Sequence, residues 1–235
     1  MPELGITALI LGFLLCLYSA IGSVIGHYGQ IPELISSGRR ALYITGTASV
    51  ISGVSLLYSF LQNDFSIEYV QRHSNIVLDR GFTLVAFYAG NEGSLLFILI
   101  VLSLLSIAAI YWAPKRFSES LPFTVAILAV TQAFYFMTLT FFANPFSPVE
   151  GPIPADGQGL NPLLEHPGMY SHPPIIMTGL VSITIPFAFA IGAIISGKYK
   201  DEWVDLARIS SIGVWCVLGV GLLLGAWWAY TILGW

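Results

Sequence analysis

The chain has 235 residues, of which 56% are hydrophobic, 14% aromatic and only 9% charged. Soluble globular chains carry about 25% charged residues, so this composition excludes a soluble enzyme, a disordered tail and a disulfide-stapled secreted domain. The formal net charge of −4 argues against nucleic-acid binding, which needs a basic surface to neutralise phosphates. The composition therefore predicts an all-α polytopic membrane protein whose surroundings are the lipid bilayer.

Six apolar runs are long enough to cross a membrane, because a spanning helix needs about 20 residues. None contains Asp, Glu, Lys or Arg, and they cover residues 5–25, 41–61, 93–112, 121–143, 175–196 and 209–232. We therefore predict that residues 1–235 form one membrane domain with six spans. The first long connection then covers about 62–92, and the second long connection about 144–174.

Lys and Arg are distributed unevenly among the connections. Seven of the nine lie in the odd-numbered connections, which cover 26–40, 113–120 and 197–208. The first long connection holds only Arg72 and Arg80, and the second holds neither Lys nor Arg. Cytoplasmic connections carry the excess of Lys and Arg. This bias predicts that both long connections and both termini face outward from a bacterial or archaeal plasma (inner) membrane.

The two long connections differ in predicted local structure. Alternation of polar and apolar residues over 64–69 predicts a short, half-buried strand. Residues 81–90 are apolar but too few to span, so we expect them at the membrane interface. The second long connection has eight of the thirteen prolines, which favours a stiff, irregular loop because proline fixes φ and removes a donor. Such a loop suits a binding surface.

His172 is the most informative single residue, in the sequence Tyr-Ser-His-Pro-Pro just before the fifth span. A residue before proline favours extended backbone, and proline suits the first helical turn. We therefore expect His172 at the N-terminus of the fifth helix. The positive end of the helix dipole there disfavours imidazolium, which leaves a ring able to ligate a metal. The alternative is a histidine that caps the helix or meets lipid headgroups.

The remaining motifs favour ordinary structural roles. His166 and His73 are expected on the surface and His27 at the membrane interface, because the four histidines form no zinc motif. Asn91 is expected to cap the third span. The Gly22/Gly26 and Gly221/Gly225 pairs predict close helix packing.

An aromatic cluster ends the sixth span and consists of Trp227, Trp228, Tyr230 and Trp235. Such a cluster is typical of an interfacial aromatic belt. The alternative is the edge of a platform for a flat ligand.

Several stretches along the whole chain resemble the N-terminal part of CcmF-type cytochrome c haem lyases. In chain order they are Asn63-Asp64-Phe65, Glu92-Gly93-Ser94-Leu95-Leu96, Asn144-Pro145-Phe146, Asp156-Gly157, Leu160-Asn161-Pro162-Leu163-Leu164, His172-Pro173-Pro174, Pro186-Phe187-Ala188-Phe189-Ala190, Trp228-Ala229-Tyr230 and Leu233-Gly234-Trp235. The spacing of Asn-Pro-Leu-Leu and His-Pro-Pro is the most specific part. One departure is Asn91, where the family often has histidine before Glu-Gly-Ser.

This resemblance implies that the chain handles haem as a substrate during cytochrome c biogenesis. His172 matches the family's His-Pro-Pro histidine, which implies that it is an axial ligand of the haem iron. Candidate neighbours of the porphyrin are Trp227, Trp228 and Trp235, and candidate contacts of the propionates are Arg72 and Arg80. The implied partners are a CcmE-type haem chaperone, a CcmH-type apocytochrome-handling protein and apocytochrome c itself.

The implied reaction is covalent attachment of haem to Cys-x-x-Cys-His motifs of apocytochrome c on the outer face. The family continues beyond the equivalent of Trp235 into a tryptophan-rich segment with further histidines. We therefore expect a fragment or an N-terminal subunit that needs a C-terminal remainder or partner subunit for lyase activity. Two alternatives stay open at this point: a membrane transporter of small molecules or ions, which charge-free spans disfavour, and a non-catalytic assembly scaffold.

Overall fold

The computed structural model describes residues 1–113, 117–197 and 202–234, without the side chains of Glu202 and Leu233. These residues form nine α-helices and no strand. The helices are α1 (Pro2–Tyr28), α2 (Pro32–Leu61), α3 (Glu68–His73), α4 (Arg80–Ala89), α5 (Asn91–Tyr111), α6 (Leu121–Phe141), α7 (His172–Ser182), α8 (Thr184–Ile195) and α9 (Glu202–Leu233).

Six helical segments are long and apolar enough to cross a membrane. They are the single helices α1, α2, α5, α6 and α9 and the broken segment Pro167–Ile195, which contains α7 and α8. The prediction of an all-α polytopic protein with six spans is therefore confirmed. Of the charges behind the predicted orientation, Lys115, Arg116, Lys198 and Lys200 lie outside the described residues, and the orientation stays a prediction.

The first two helices are longer than the apolar runs indicated, and the connection between them is correspondingly shorter. Helix α2 begins at Pro32, well before the predicted start at residue 41, because proline fits the first helical turn. Glycines allow the tight α1–α2 packing: a Cβ on Gly26 would lie 2.9 Å from Ile35, and a Cβ on Gly38 would lie 2.7 Å from the Ser23 hydroxyl. The predicted packing role of Gly26 is thus confirmed.

A buried glutamine joins three spans inside the bundle. The Oε1 atom of Gln132 on α6 lies 2.8 Å from the Thr45 hydroxyl on α2 and 3.1 Å from the Ser103 hydroxyl on α5. Gln132 is fully buried. An interhelical hydrogen bond in a membrane contributes about 0.6 kcal/mol, so this cluster fixes helix register more than it adds stability.

The fifth span is broken into two helices because of a proline. Pro186 has no N–H to donate to the carbonyl of Ser182, and its ring would clash with that carbonyl in a regular helix. Helix α7 accordingly ends at Ser182, and the Ile183 N–H reaches back only to the Leu180 carbonyl at 3.4 Å. Helix α7 packs on α9, whereas α8 packs on both α6 and α9.

The first long connection is more helical than predicted. The strand expected over residues 64–69 is wrong: the described residues contain only an isolated bridge between Ile67 and Pro148, and α3 begins at Glu68. The predicted helix cap is also shifted, because Gly90 rather than Asn91 is the N-cap of α5. Residues 80–89 form α4, which buries Val85 and Ala86.

Candidate functional site

The two long connections bind each other and so hold the start of α7 in place. The backbone N–H groups of Gln158 and Gly159 donate to the carbonyls of Gln71 (2.7 Å) and Ser74 (3.1 Å). Closer to α7, the Tyr88 hydroxyl donates to the Met169 carbonyl at 2.8 Å. Burial, and then the nearby Tyr170 phenol, raise the pKa of Tyr88 to about 12. Tyr88 therefore stays a neutral donor.

Helix α7 begins at His172, but the imidazole does not cap it. Ser171 is the N-cap residue, and no side chain there bonds the helix start. Instead, Nδ1 of His172 lies 2.9 Å from the carbonyl oxygen of Gly221 on α9. A carbonyl oxygen only accepts hydrogen bonds, so Nδ1 carries a hydrogen, and in the neutral ring Nε2 then has the lone pair. This tautomer is the one that a metal ligand bound through Nε2 requires.

Glycines on α9 make room for the His172 ring. A Cβ on Gly225 would lie 2.4 Å from Cε1 and 3.1 Å from Nε2 of His172. A Cβ on Gly221 would lie 2.9 Å from the Cα of Ile176 on α7. The predicted packing role of the Gly221/Gly225 pair is confirmed, and Gly225 has a second role: it leaves the space in which the imidazole lies.

Trp228 lies beside His172, with the two rings nearly parallel (14°) and their centres 6.4 Å apart. Its indole packs against the buried core that contains Met169. The indole N–H is buried and has no acceptor among the described residues, an uncommon state for a polar group in a folded protein. Trp227 is 46% exposed, and Trp235 lies outside the described residues.

His166, which the sequence predicted to be a surface histidine, is partly exposed and has structural partners. Its ring is half-buried and lies against Trp227, with ring centres 5.5 Å apart. Its Nδ1 accepts the Gly168 N–H at 3.0 Å and thereby caps the turn Pro167–Tyr170. The sequence His-Pro-Gly carries this signal, because a side-chain acceptor before a proline at the first turn position is a capping pattern.

The other two histidines lie elsewhere and have partners. His73 is half-buried. Its Nδ1 atom lies 2.9 Å from the Tyr69 carbonyl oxygen. The His27 ring lies against Phe123, with centres 4.6 Å apart. The part of the chain with described coordinates holds no group of three or more His, Cys, Asp or Glu side chains able to share a metal ion.

The two candidate arginines do not join this cluster. Arg72 pairs with Glu68 one turn away on the exposed face of α3. Arg80 is the exposed first residue of α4. No hydrogen bond, ion pair or ring contact within 1–113, 117–197 and 202–234 connects either arginine to His172 or to the two tryptophans.

An apolar cavity of about 390 Å³ lies near the start of α7. Tyr170 and Pro174 line it together with side chains of α2, α4 and α5, whereas His172 does not. The imidazole instead bonds α9. The histidine site and this cavity are therefore separate features.

Comparisons with known proteins identify the family of this chain. The sequence model of a family described as "Cytochrome C assembly protein" matches residues 88–235. "Cytochrome c-type biogenesis protein NrfE" of Haemophilus influenzae is 34% identical over 235 residues, covering 100% of this chain and 37% of that protein. "Cytochrome c-type biogenesis protein CcmF" of the same organism is 32% identical, covering 99% of this chain and 36% of that protein.

A solved structure, "Cytochrome c Heme Lyase CcmF", has the same fold. It matches with a TM-score of 0.84 at 24% identity, over 97% of this chain and 36% of that chain. The chain thus spans just over a third of the length of these relatives. The resemblance to CcmF-type proteins is confirmed, and the transporter alternative is not favoured. The chain belongs to the cytochrome c assembly protein family.

Proposed function

We propose that this chain ligates a haem iron through Nε2 of His172 and presents that haem for attachment to apocytochrome c. The observation that carries the proposal is the contact between Nδ1 of His172 and the Gly221 carbonyl. Metal-ligating histidines almost always donate their other ring N–H to a carboxylate, carbonyl or water, which fixes the tautomer and ring orientation. Haem iron commonly takes an imidazole as its proximal or axial ligand.

The neighbouring tryptophans would border the porphyrin. The indole of Trp228, which lies beside the imidazole and parallel to it, would border a haem bound at His172. Trp227 would extend this border, and Trp235 stays a candidate on resemblance alone.

The propionate contacts proposed for the arginines have unequal support. Arg72 already pairs with Glu68, so a propionate would have to compete with that carboxylate. Arg80 has no ion pair among the described residues and stays the better of the two candidates.

The reaction proposed for the complete system adds the two cysteine thiols of Cys-x-x-Cys-His across the haem vinyl groups. Each thiol sulfur bonds one vinyl carbon and its hydrogen goes to the other, so the addition itself is redox-neutral. The protein's contribution in such chemistry is binding, orientation and electrostatics. This chain would hold the iron, and the rest of the relatives' length would complete the lyase as a C-terminal remainder or a partner subunit.

The proposed partners are a CcmE-type haem chaperone that delivers the haem, a CcmH-type apocytochrome-handling protein and apocytochrome c. The proposed location is the plasma (inner) membrane, with both long connections and both termini outside. The excess of Lys and Arg in the other connections supports this orientation. His172 would then lie on the face where c-type cytochromes are completed.

Substitution of His172 tests the ligand role. In cells whose c-type cytochromes depend on this protein, His172→Ala should abolish cytochrome c maturation, and added imidazole should restore part of it. His172→Asn should also fail, because Asn caps helices well but does not replace an imidazole on iron. The control is His73→Gln, since His73 lies on α3, away from α7, and contacts Tyr69 within the same helix. Full cytochrome c yield in both His172 variants would contradict the proposal.

A further inference from the structure

We infer that His166 donates a hydrogen bond from its Nε2–H to a carboxylate of the haem that His172 ligates. This inference rests on the proposed function and assigns a second histidine of the same connection to the propionate edge of the same substrate. The assignment follows from the tautomer of His166, from its position beside the His172 site and from the absence of Lys and Arg in the second long connection.

The turn that follows His166 determines which ring nitrogen carries the hydrogen. Nδ1 of His166 accepts the Gly168 N–H at 3.0 Å, so in the neutral ring Nε2 must carry the hydrogen. His166 therefore has the opposite tautomer to His172, whose Nδ1 is the donor. In consequence His172 offers a lone pair suited to iron, whereas His166 offers a donor suited to an anionic oxygen. No described atom accepts a hydrogen bond from Nε2 of His166.

Gly168 lets the turn that carries His166 pack against the two indoles, one of which lies beside His172. A Cβ on Gly168 would lie 3.0 Å from Nδ1 of His166, 3.0 Å from Cδ1 of Trp228 and 3.1 Å from Cζ3 of Trp227. Trp228 in turn lies parallel to the His172 ring. The contacts thus run continuously from His166 across the two indoles to His172. A haem held at His172 and bordered by these indoles would direct part of its periphery, where it carries its propionates, toward His166.

The charges around the site favour a donor of this kind. The second long connection contains no Lys or Arg, so it supplies no permanent cation for a carboxylate. Arg72 is already paired with Glu68 on α3. The His166 ring is half-buried against Trp227, and hydrogen bonds strengthen where water is partly excluded. A positioned N–H is therefore the recognition group that the connection offers to the carboxylate.

Two substitutions separate the donor from the turn cap. His166→Asn keeps an acceptor at the position of Nδ1, which caps the turn, but removes the N–H at the position of Nε2. His166→Gln instead places an amide N–H near that position. We would titrate the protein, purified from membranes with its partners retained, with haem and with haem whose propionates are methyl esters.

Wild-type protein should bind haem more tightly than the diester. His166→Asn should lose about tenfold in haem affinity, the usual contribution of a hydrogen bond to a charged group, and should bind the diester as wild type does. His166→Gln should keep most of the preference for haem. If His166→Asn loses affinity equally for haem and for the diester, the inference is overturned, because a lipid phosphate or a purely structural contact would give that result. Unchanged affinity for both ligands would overturn it as well.

The same titration tests the proposed function separately. His172→Ala should lose the imidazole-ligated haem spectrum with both haem and diester. If His172→Ala keeps that spectrum, the ligand assignment is wrong, whereas the ratio of haem to diester affinity in the His166 variants still reports on the donor. The two failures are therefore distinguishable.

Discussion

Substitution of Gly225 by alanine tests whether the space beside His172 is functional. The added Cβ would lie 2.4 Å from Cε1 of His172, whereas ordinary contact begins at 3.4 Å. The imidazole would have to move by about 1 Å, which would break its 2.9 Å hydrogen bond to the Gly221 carbonyl. Overpacking costs about 1–3 kcal/mol, and a lost hydrogen bond costs about 1 kcal/mol.

The combined cost of about 2–4 kcal/mol should lower haem affinity by about thirtyfold to several hundredfold, since about 1.4 kcal/mol corresponds to a factor of ten. The assay is haem titration of the purified protein, followed by the absorbance of the imidazole-ligated iron. Gly219→Ala is the matched control, because a Cβ there would meet no described atom within 4 Å. Both substitutions gain about 1 kcal/mol in helix propensity, so only the clash differs between them.

A double variant identifies the clashing group. Removing the imidazole should remove the clash, so Gly225→Ala should not destabilise a protein that already carries His172→Ala. Thermal unfolding of the two single variants and the double variant measures this coupling free energy. Equal haem affinity of Gly225→Ala and Gly219→Ala, or purely additive destabilisation in the double variant, would refute the reasoning.

Three further predictions concern the surroundings of the site. Trp228→Ala should weaken haem binding and broaden the haem spectrum while the six spans still insert, measured by absorbance after purification; an unchanged titration would contradict the border role. Tyr88→Phe removes the hydrogen bond to the Met169 carbonyl and should lower the free energy of unfolding by about 1 kcal/mol, measured by thermal melting. An unchanged or raised melting temperature would show that this bond does not stabilise the connection. Gln158→Cys in a background without the two native cysteines should react with a membrane-impermeant thiol reagent from the outside only, and reaction solely from the cytoplasmic side would reverse the proposed orientation.

Local features of the chain were predictable from sequence. Apolar runs free of charge fix the number of spanning segments, because the hydrocarbon core sets the length of a helix that crosses it. The His-Pro-Pro sequence indicates that His172 lies at a helix start, because proline is favoured in the first turn of a helix. Boundaries were less predictable. The predicted connection 26–40 lies largely within α1 and α2, since polar residues at a helix end do not interrupt the backbone hydrogen bonds.

Contacts between distant residues were not predictable from one sequence. The bond from His172 to Gly221 joins residues 49 apart, and nothing in the local pattern of either helix indicates it. The same holds for the bridge between Ile67 and Pro148, which joins the two long connections across 81 positions of sequence. The surroundings of His166 were unpredictable for the same reason: its Pro-Gly context signals a cap, but its ring neighbour Trp227 comes from α9.

The ligand role of His172 is the central claim, and electron paramagnetic resonance of the ferric haem complex tests it most directly. Wild-type protein should give the signal of imidazole-ligated iron, His172→Gly should lose it, and added imidazole should restore it by filling the space left by the side chain. A ferric signal that is the same in wild type and His172→Gly without imidazole would contradict the account.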